Sequence, residues 1–296
     1  MKVPEIPDLA DLEARFQAAF RSTNRNGLQV IGYGEITSVV SWSVAGTKAA
    51  VKRLPPFASD AARDTYLVLL RDYLDRLEEA EIAVLPTGAQ ELRNAEGSPV
   101  VYLVQPELPA AKVGPALLAG PDALDPVLVF GEICAGAARA ADRRIGFDAQ
   151  LSNWVRLSDG ELGYVDVTTP LLRDGAGHHR LDTSVFVASL PWLLRPAVRR
   201  FVAPGIMDEY FELRIVLLNM VANLHKERLE HLIPAAREAA NRHLDSPITR
   251  EEIDRYYRKD ARLWEVLQRL RRADRAWQLK VRRRPYPVLL PDKVER

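Results

Sequence analysis

The sequence predicts an α+β protein of two lobes, a β-rich amino-terminal lobe with one main helix and a mostly helical carboxyl-terminal lobe. Three observations predict it. Strand-like stretches crowd residues 28–54 and 88–108, helical periodicity dominates from about Asp182 to Lys280, and Pro106–Pro109 separates the two characters. The lobes are therefore placed at residues 1–107 and 108–296.

The elements follow in order. Leu9, Leu12, Phe16 and Phe20 recur at helical spacing, which predicts a short amphipathic helix over 7–20. LQVIGYGEITSVVSWSV and TKAAVKRL read as strand, glycine turn, strand, hairpin and strand, stopped by Pro55 and Pro56. A helix from Ser59, a suitable N-cap, to Ala80 carries Tyr66, Leu69, Leu70, Tyr73, Leu74 and Leu77 on one face. GAQELR and SPVVYLVQPEL form a strand pair about the turn Asn94–Gly97. Beyond Pro109, short helices lead into the apolar helix PVLVFGEICAGAARAADRR. The short strands NWVRL and ELGYVDV follow, turning at Asp159-Gly160, and then mostly helix.

Of the 296 residues, 47% are hydrophobic and 27% charged, as in a globular protein with a sizeable core. The net charge of +1 gives no overall pull toward nucleic acid or an acidic membrane, and neither is expected as a partner. Cys134 stands alone, which excludes a disulfide framework and suggests a reducing compartment. MKVPEIPDLADLEARF has no apolar stretch of the signal-peptide kind, and VLVFGEICAGAA is too short and interrupted to cross a bilayer. A cytoplasmic location is the expectation.

One constellation carries chemistry. Asp148 and Asn153 lie five apart in GFDAQLSNW, and Asp166 closes a short strand 13 residues later. The intervening hairpin WVRLSDGELGYV returns Asn153 and Asp166 to one end. Phosphoryl transfer needs such a set: a carboxylate to orient or deprotonate the attacking hydroxyl, and oxygen donors to hold Mg²⁺ against phosphates. The bland reading is a surface hairpin with capping Asp and Asn. Upstream, Gly32-Tyr33-Gly34 opens a turn between strands where backbone N–H groups can approach phosphate. Lys52 lies in the third strand on the same face as Ala50 and Leu54, where an unpaired lysine is costly.

In this order the parts resemble the protein-kinase-like superfamily, and within it the aminoglycoside and choline phosphotransferase branch, over roughly residues 28–200. GYGEITSV is similar to the glycine-rich loop, AAVK to the strand lysine, and VYLVQPEL to the strand entering the hinge. FDAQLSN is similar to the catalytic loop and VDVT to the metal-binding strand end. The resemblance implies a two-lobed kinase-like fold binding ATP or GTP with Mg²⁺ between the lobes. It makes Asp148 the base and Asn153 and Asp166 the metal ligands. Lys52, Gly32 and Gly34 would meet the phosphates, and Gln105, Glu107 and Leu108 the nucleobase. Gln150 supports the catalytic loop, as does Asp182, read as the buried aspartate that steadies it. The acidic partner of Lys52 is expected on the helix 59–80, from Asp64, Asp72, Asp75, Glu78 and Glu79. Periodicity does not choose among them, and Asp72 is preferred.

The implied activity is transfer of a phosphoryl group to a hydroxyl of a small-molecule metabolite or natural product. Thr37 stands at the third loop glycine, Gly146 where a histidine is usual, and Val167-Thr168 follow Asp166. These departures motivate an alternative, a catalytically impaired pseudokinase serving as a nucleotide-binding regulator. Adenylyl transfer would use the same fold. The acceptor and the oligomeric state are not readable from the sequence.

Other candidates have plainer readings. His178 and His179 fall in an exposed loop, and His225 and His231, six apart on a helix, serve structure rather than zinc. Trp264 and Trp277, with Leu263, Leu267 and Leu270, are expected to form the seam between the last helices. The run Lys280–Arg284 reads as a solvated helix end.

Overall fold

The computed structural model describes residues 2–22, 24–25, 27–34, 37–44, 46–119, 121, 123–182 and 203–291. Five antiparallel strands form one sheet: β1 (Gln29–Tyr33), β2 (Ser38–Val44), β3 (Thr47–Arg53), β4 (Gly88–Arg93) and β5 (Pro99–Pro106). Their order is β1-β2-β3-β5-β4, so β5 inserts between β3 and β4. The period-2 alternation of β3 divides its side chains. Ala49, Val51 and Arg53 face one layer, and Ala50, Lys52 and Leu54 the other. β5 is covered on both faces, which explains its unbroken apolar run from Pro99 to Val104.

The first layer is α1 (Leu9–Phe20). Leu12, Phe16, Ala19 and Phe20 pack on Val40, Ala49, Val51, Val100, Tyr102 and Val104. A buried ion pair crosses this layer. The Arg53 guanidinium donates from Nε to Glu13 Oε2 at 2.7 Å and from Nη2 to Oε1 at 2.8 Å. Tyr102 OH and Gln17 Nε2 also donate to the Glu13 carboxylate. Burial pushes that carboxyl up, but the Arg53 pair and the added hydrogen bonds outweigh it and hold it below the usual glutamate range.

The second layer is α2 (Asp60–Glu79). Ser59 caps it by accepting from Ala62 N–H at 3.2 Å. Its inner face, Tyr66, Leu69, Leu70, Tyr73 and Leu77, joins the large core shared with the helical region. The sequence boundary at 107 therefore does not divide the packing, because α2 belongs by burial to both halves.

The helical region holds α3 (Pro126–Ala140), α4 (Ala203–Asp208), α5 (Leu213–Lys226), α6 (Ile233–Asn241) and α7 (Arg250–Lys280). Asp125 caps α3, with Pro126 at its first position. Small residues let α3 and α6 approach closely: Ala137 and Ala140 are buried with Ala236, Ala239 and Ala240. His225 pairs with Asp254 at 3.1 Å and stacks on Tyr257, the structural role expected of it. The expected tryptophan seam is corrected: Leu263, Leu270 and Trp277 are exposed, since α7 turns Arg271, Asp274 and Gln278 inward instead. After α7 the chain returns to the first lobe. Tyr286 N–H donates to Phe20 O at 2.8 Å, Ser38 Oγ donates to Leu289 O at 3.2 Å, and Leu289 completes the α1-side core. Among the described residues no helix is long and apolar enough to cross a membrane.

Candidate nucleotide and catalytic site

Four sequence-predicted residues converge. The hairpin β6 (Trp154–Arg156) and β7 (Leu162–Tyr164) turns at Gly160, whose φ of +96° favours glycine. Val165 N–H donates to Asn153 O at 2.9 Å, which sets Asp166 beside Asn153. The Asn153 Nδ2 donates to Asp148 O at 3.3 Å, which commits the amide nitrogen and turns its oxygen to other partners. Lys52 reaches across from β3 and donates to Asp166 Oδ1 at 2.8 Å. Its side chain is 11% exposed and that of Asp166 is 35%. Burial pushes the Asp166 carboxyl up, but the Lys52 charge and hydrogen bond, with Thr168, outweigh it and leave it lowered.

The loop that carries Asp148 is held by alternation. Phe147, Ala149 and Leu151 are buried, while Asp148 and Gln150 between them are only partly covered. Gln150 N–H donates to Asp148 Oδ1 at 3.2 Å, so the Gln150 backbone orients the Asp148 carboxylate. Underneath, Phe147, Trp154 and Tyr164 form an aromatic cluster with centroids 4.8 to 6.1 Å apart. Gly32 pairs with Val39 and Val39 with Lys52, which puts the glycine turn level with the lysine. Gly34 N–H closes that turn on Thr37 O at 2.9 Å.

Three expectations are corrected. Asp72 does not partner Lys52; it accepts from Arg180 Nη2 at 2.7 Å, because the inner face of α2 is given to tyrosine and leucine. Asp182 is exposed, and Leu181 takes the buried position beside it; the rest of its proposed helix lies outside the described residues. Glu107 has its N–H on Lys48 O at 3.1 Å and its carboxylate on the Ser41 hydroxyl, so it braces the sheet rather than offering an amide to a base. Gln105 lies opposite Ala50 and donates from its side chain to Val165 O at 3.0 Å and Thr87 Oγ1 at 2.8 Å. It thus ties β5 to the hairpin, and Leu108 is half-buried just past β5. In the 171–181 loop His178 is exposed, whereas His179 is largely covered and bonds Asp208 at 2.8 Å.

Sequence reasoning missed two supporting residues. Tyr66 OH donates to Thr168 O at 3.0 Å and Tyr73 OH to Gly146 O at 3.1 Å. One helix thereby pins both the chain just after Asp166 and the loop that carries Asp148. Burial and the nearby Asp166 charge push both phenols well up, so they stay protonated donors. The seven-residue spacing of two tyrosines on one helix face was the available signal.

Gly146 has a steric reason. A Cβ there would lie 2.8 Å from Leu171 Cβ and 2.9 Å from Phe211 Cε2, which also explains why no histidine occupies the position. Gly146→Ala is expected to destabilise by about 1–3 kcal/mol through overpacking, read as a lowered urea midpoint.

The oxygen donors of Asp166 and Asn153 fit Mg²⁺, which is usually held by one or two protein carboxylates with phosphates completing the shell. A family model, "Family of unknown function (DUF6206)", matches residues 11–275. No curated protein matches the chain. Solved structures match, among them one described as "WaaP in complex with acyl carrier protein". It is 14% identical, covers 93% of this chain and 99% of that one, and has a TM-score of 0.34. A likeness at that level bears on neither activity nor partner.

Proposed function

We propose that this chain, which belongs to the DUF6206 family of unknown function, is a phosphotransferase. It binds ATP or GTP with Mg²⁺ between the Lys52 face of the sheet and the Asp148–Asp166 hairpin. The acceptor is a hydroxyl of a small polar molecule. The observation that carries the reading is the 2.8 Å Lys52–Asp166 pair, which brings residues 114 apart together with Asn153 and Asp148. A buried lysine tied to one carboxylate, beside a second carboxylate and an oriented amide, is the charge set phosphoryl transfer requires.

In this mechanism Asp148 accepts the acceptor hydroxyl proton as its oxygen bonds the γ-phosphorus. The bond to the β–γ bridging oxygen breaks, and the nucleoside diphosphate leaves. Lys52 neutralises phosphate oxygens, and the glycine turn lets backbone N–H groups close on them. Mg²⁺, when bound by Asp166 and Asn153, supplies charge neutralisation across the phosphates.

A thermal-shift titration tests the binding step. Mg²⁺ with ATP at a hundredfold excess over Kd should stabilise the wild type by about 2.7 kcal/mol, and Lys52→Ala should lose most of that gain. No shift with ATP, ADP or GTP would sink the nucleotide reading. Binding without turnover on any acceptor would favour the pseudokinase, which Val167-Thr168 after Asp166 also motivates.

A further inference from the structure

We propose that the outer face of α7 is a docking surface for an anionic lipid bilayer, with the helix lying in the headgroup plane. The inference is independent of the cleft chemistry. Leu263, Val266, Leu270, Trp277 and Val281 are 38–57% exposed. At 3.6 residues per turn they fall within about 60° of one another and run for about 27 Å. The helix is fixed along the adjoining face, about 90° round from the stripe. Arg271, Asp274 and Gln278 are buried, the Arg271 guanidinium stacks on Trp264, and Arg275 Nη2 donates to Ser22 O at 2.9 Å. These contacts set the roll of the helix and leave the apolar stripe exposed along the edge of the packed face.

Charge selects the occupant. Residues 258–284 hold eleven basic and three acidic side chains, a local +8 in a chain whose total is +1, which leaves −7 on the remainder. Arg258, Arg262, Arg269 and Lys280 are exposed beside the stripe, and Arg282–Arg284 continue the basic edge past the helix end. Aliphatic side chains with Trp on one line, rimmed by arginine and lysine, match the boundary between acyl chains and anionic headgroups. A second copy of the chain would bring two such basic edges together. Nucleic acid phosphates would satisfy the cations but offer nothing to a continuous aliphatic stripe. The opposite charge on the rest of the molecule would keep this face turned toward the bilayer.

Co-sedimentation of the full chain with vesicles tests the proposal, using phosphatidylcholine alone or with about 30% phosphatidylglycerol. Partition should be at least roughly tenfold stronger on the anionic vesicles and should weaken as salt rises. Arg262→Gln with Arg269→Gln should weaken it about fivefold per charge, and Leu263→Gln with Leu270→Gln about tenfold, with unfolding midpoints unchanged. No partition, equal partition on neutral vesicles, or binding indifferent to both variant pairs would overturn it. So would binding to polyglutamate with none to vesicles, which would reassign the face to an acidic protein.

Discussion

Asp166→Ala is expected to remove phosphoryl transfer by about a thousandfold or more while leaving the protein folded. The carboxylate is bonded to Lys52 and to Thr168 N–H, and it stands beside the Asn153 amide. Its loss removes the metal donor of the proposed mechanism and the charge that positions the lysine in one step. The side chain is about one-third exposed, so water can replace part of what Lys52 loses and the fold should survive. Single-turnover transfer from labelled nucleotide, with circular dichroism as the folding control, measures the outcome. Asp148→Asn should cut transfer by about a hundred- to ten-thousandfold while nucleotide binding persists, because the proposed mechanism has Asp148 act on the acceptor proton. If both variants transfer at wild-type rates, the hairpin is not the catalytic element.

Glu13→Ala carries the largest expected effect on stability, a loss of about 3–5 kcal/mol. It would leave the Arg53 guanidinium buried against Phe16 and Phe20 without its bidentate acceptor, and Tyr102 OH without the carboxylate it donates to. Replacing both partners, Glu13→Leu with Arg53→Met, should recover much of the loss, since no charge is then stranded. Urea unfolding of the three proteins checks both statements. The pH dependence has a fixed sign. The Glu13 carboxyl is held below its unfolded value, so its stabilisation is present above the ordinary glutamate range and is lost as pH falls through the lowered folded value. The gap between wild type and Glu13→Ala should therefore narrow in acid.

The spacing of Asp148, Asn153 and Asp166, and the inward face of Lys52, were legible because each is a local pattern on a hairpin or a strand. The Lys52 partner was not. It is Asp166 on the hairpin, 114 residues away, rather than an acid of α2, whose roll is set by the packing of Tyr66, Leu69, Leu70 and Tyr73. Glu13 with Arg53, 40 residues apart, left no periodic trace. α7 shows a different limit. Its apolar stripe is left exposed while the neighbouring Arg271, Asp274 and Gln278 are covered, the reverse of what periodicity alone leads one to expect. An overall charge of +1 likewise conceals a segment of +8, because the sum discards position.

The return of the chain to the first lobe has a consequence for synthesis. Ser38 and Leu289 meet across 251 residues, and Tyr286 closes on the end of α1. As the chain emerges from the ribosome, the glycine turn and the α1 face of the sheet wait for almost the whole sequence before their last contacts form. The sheet lobe is then finished only after the helical region is made, so folding should be slow in starting and cooperative across both lobes.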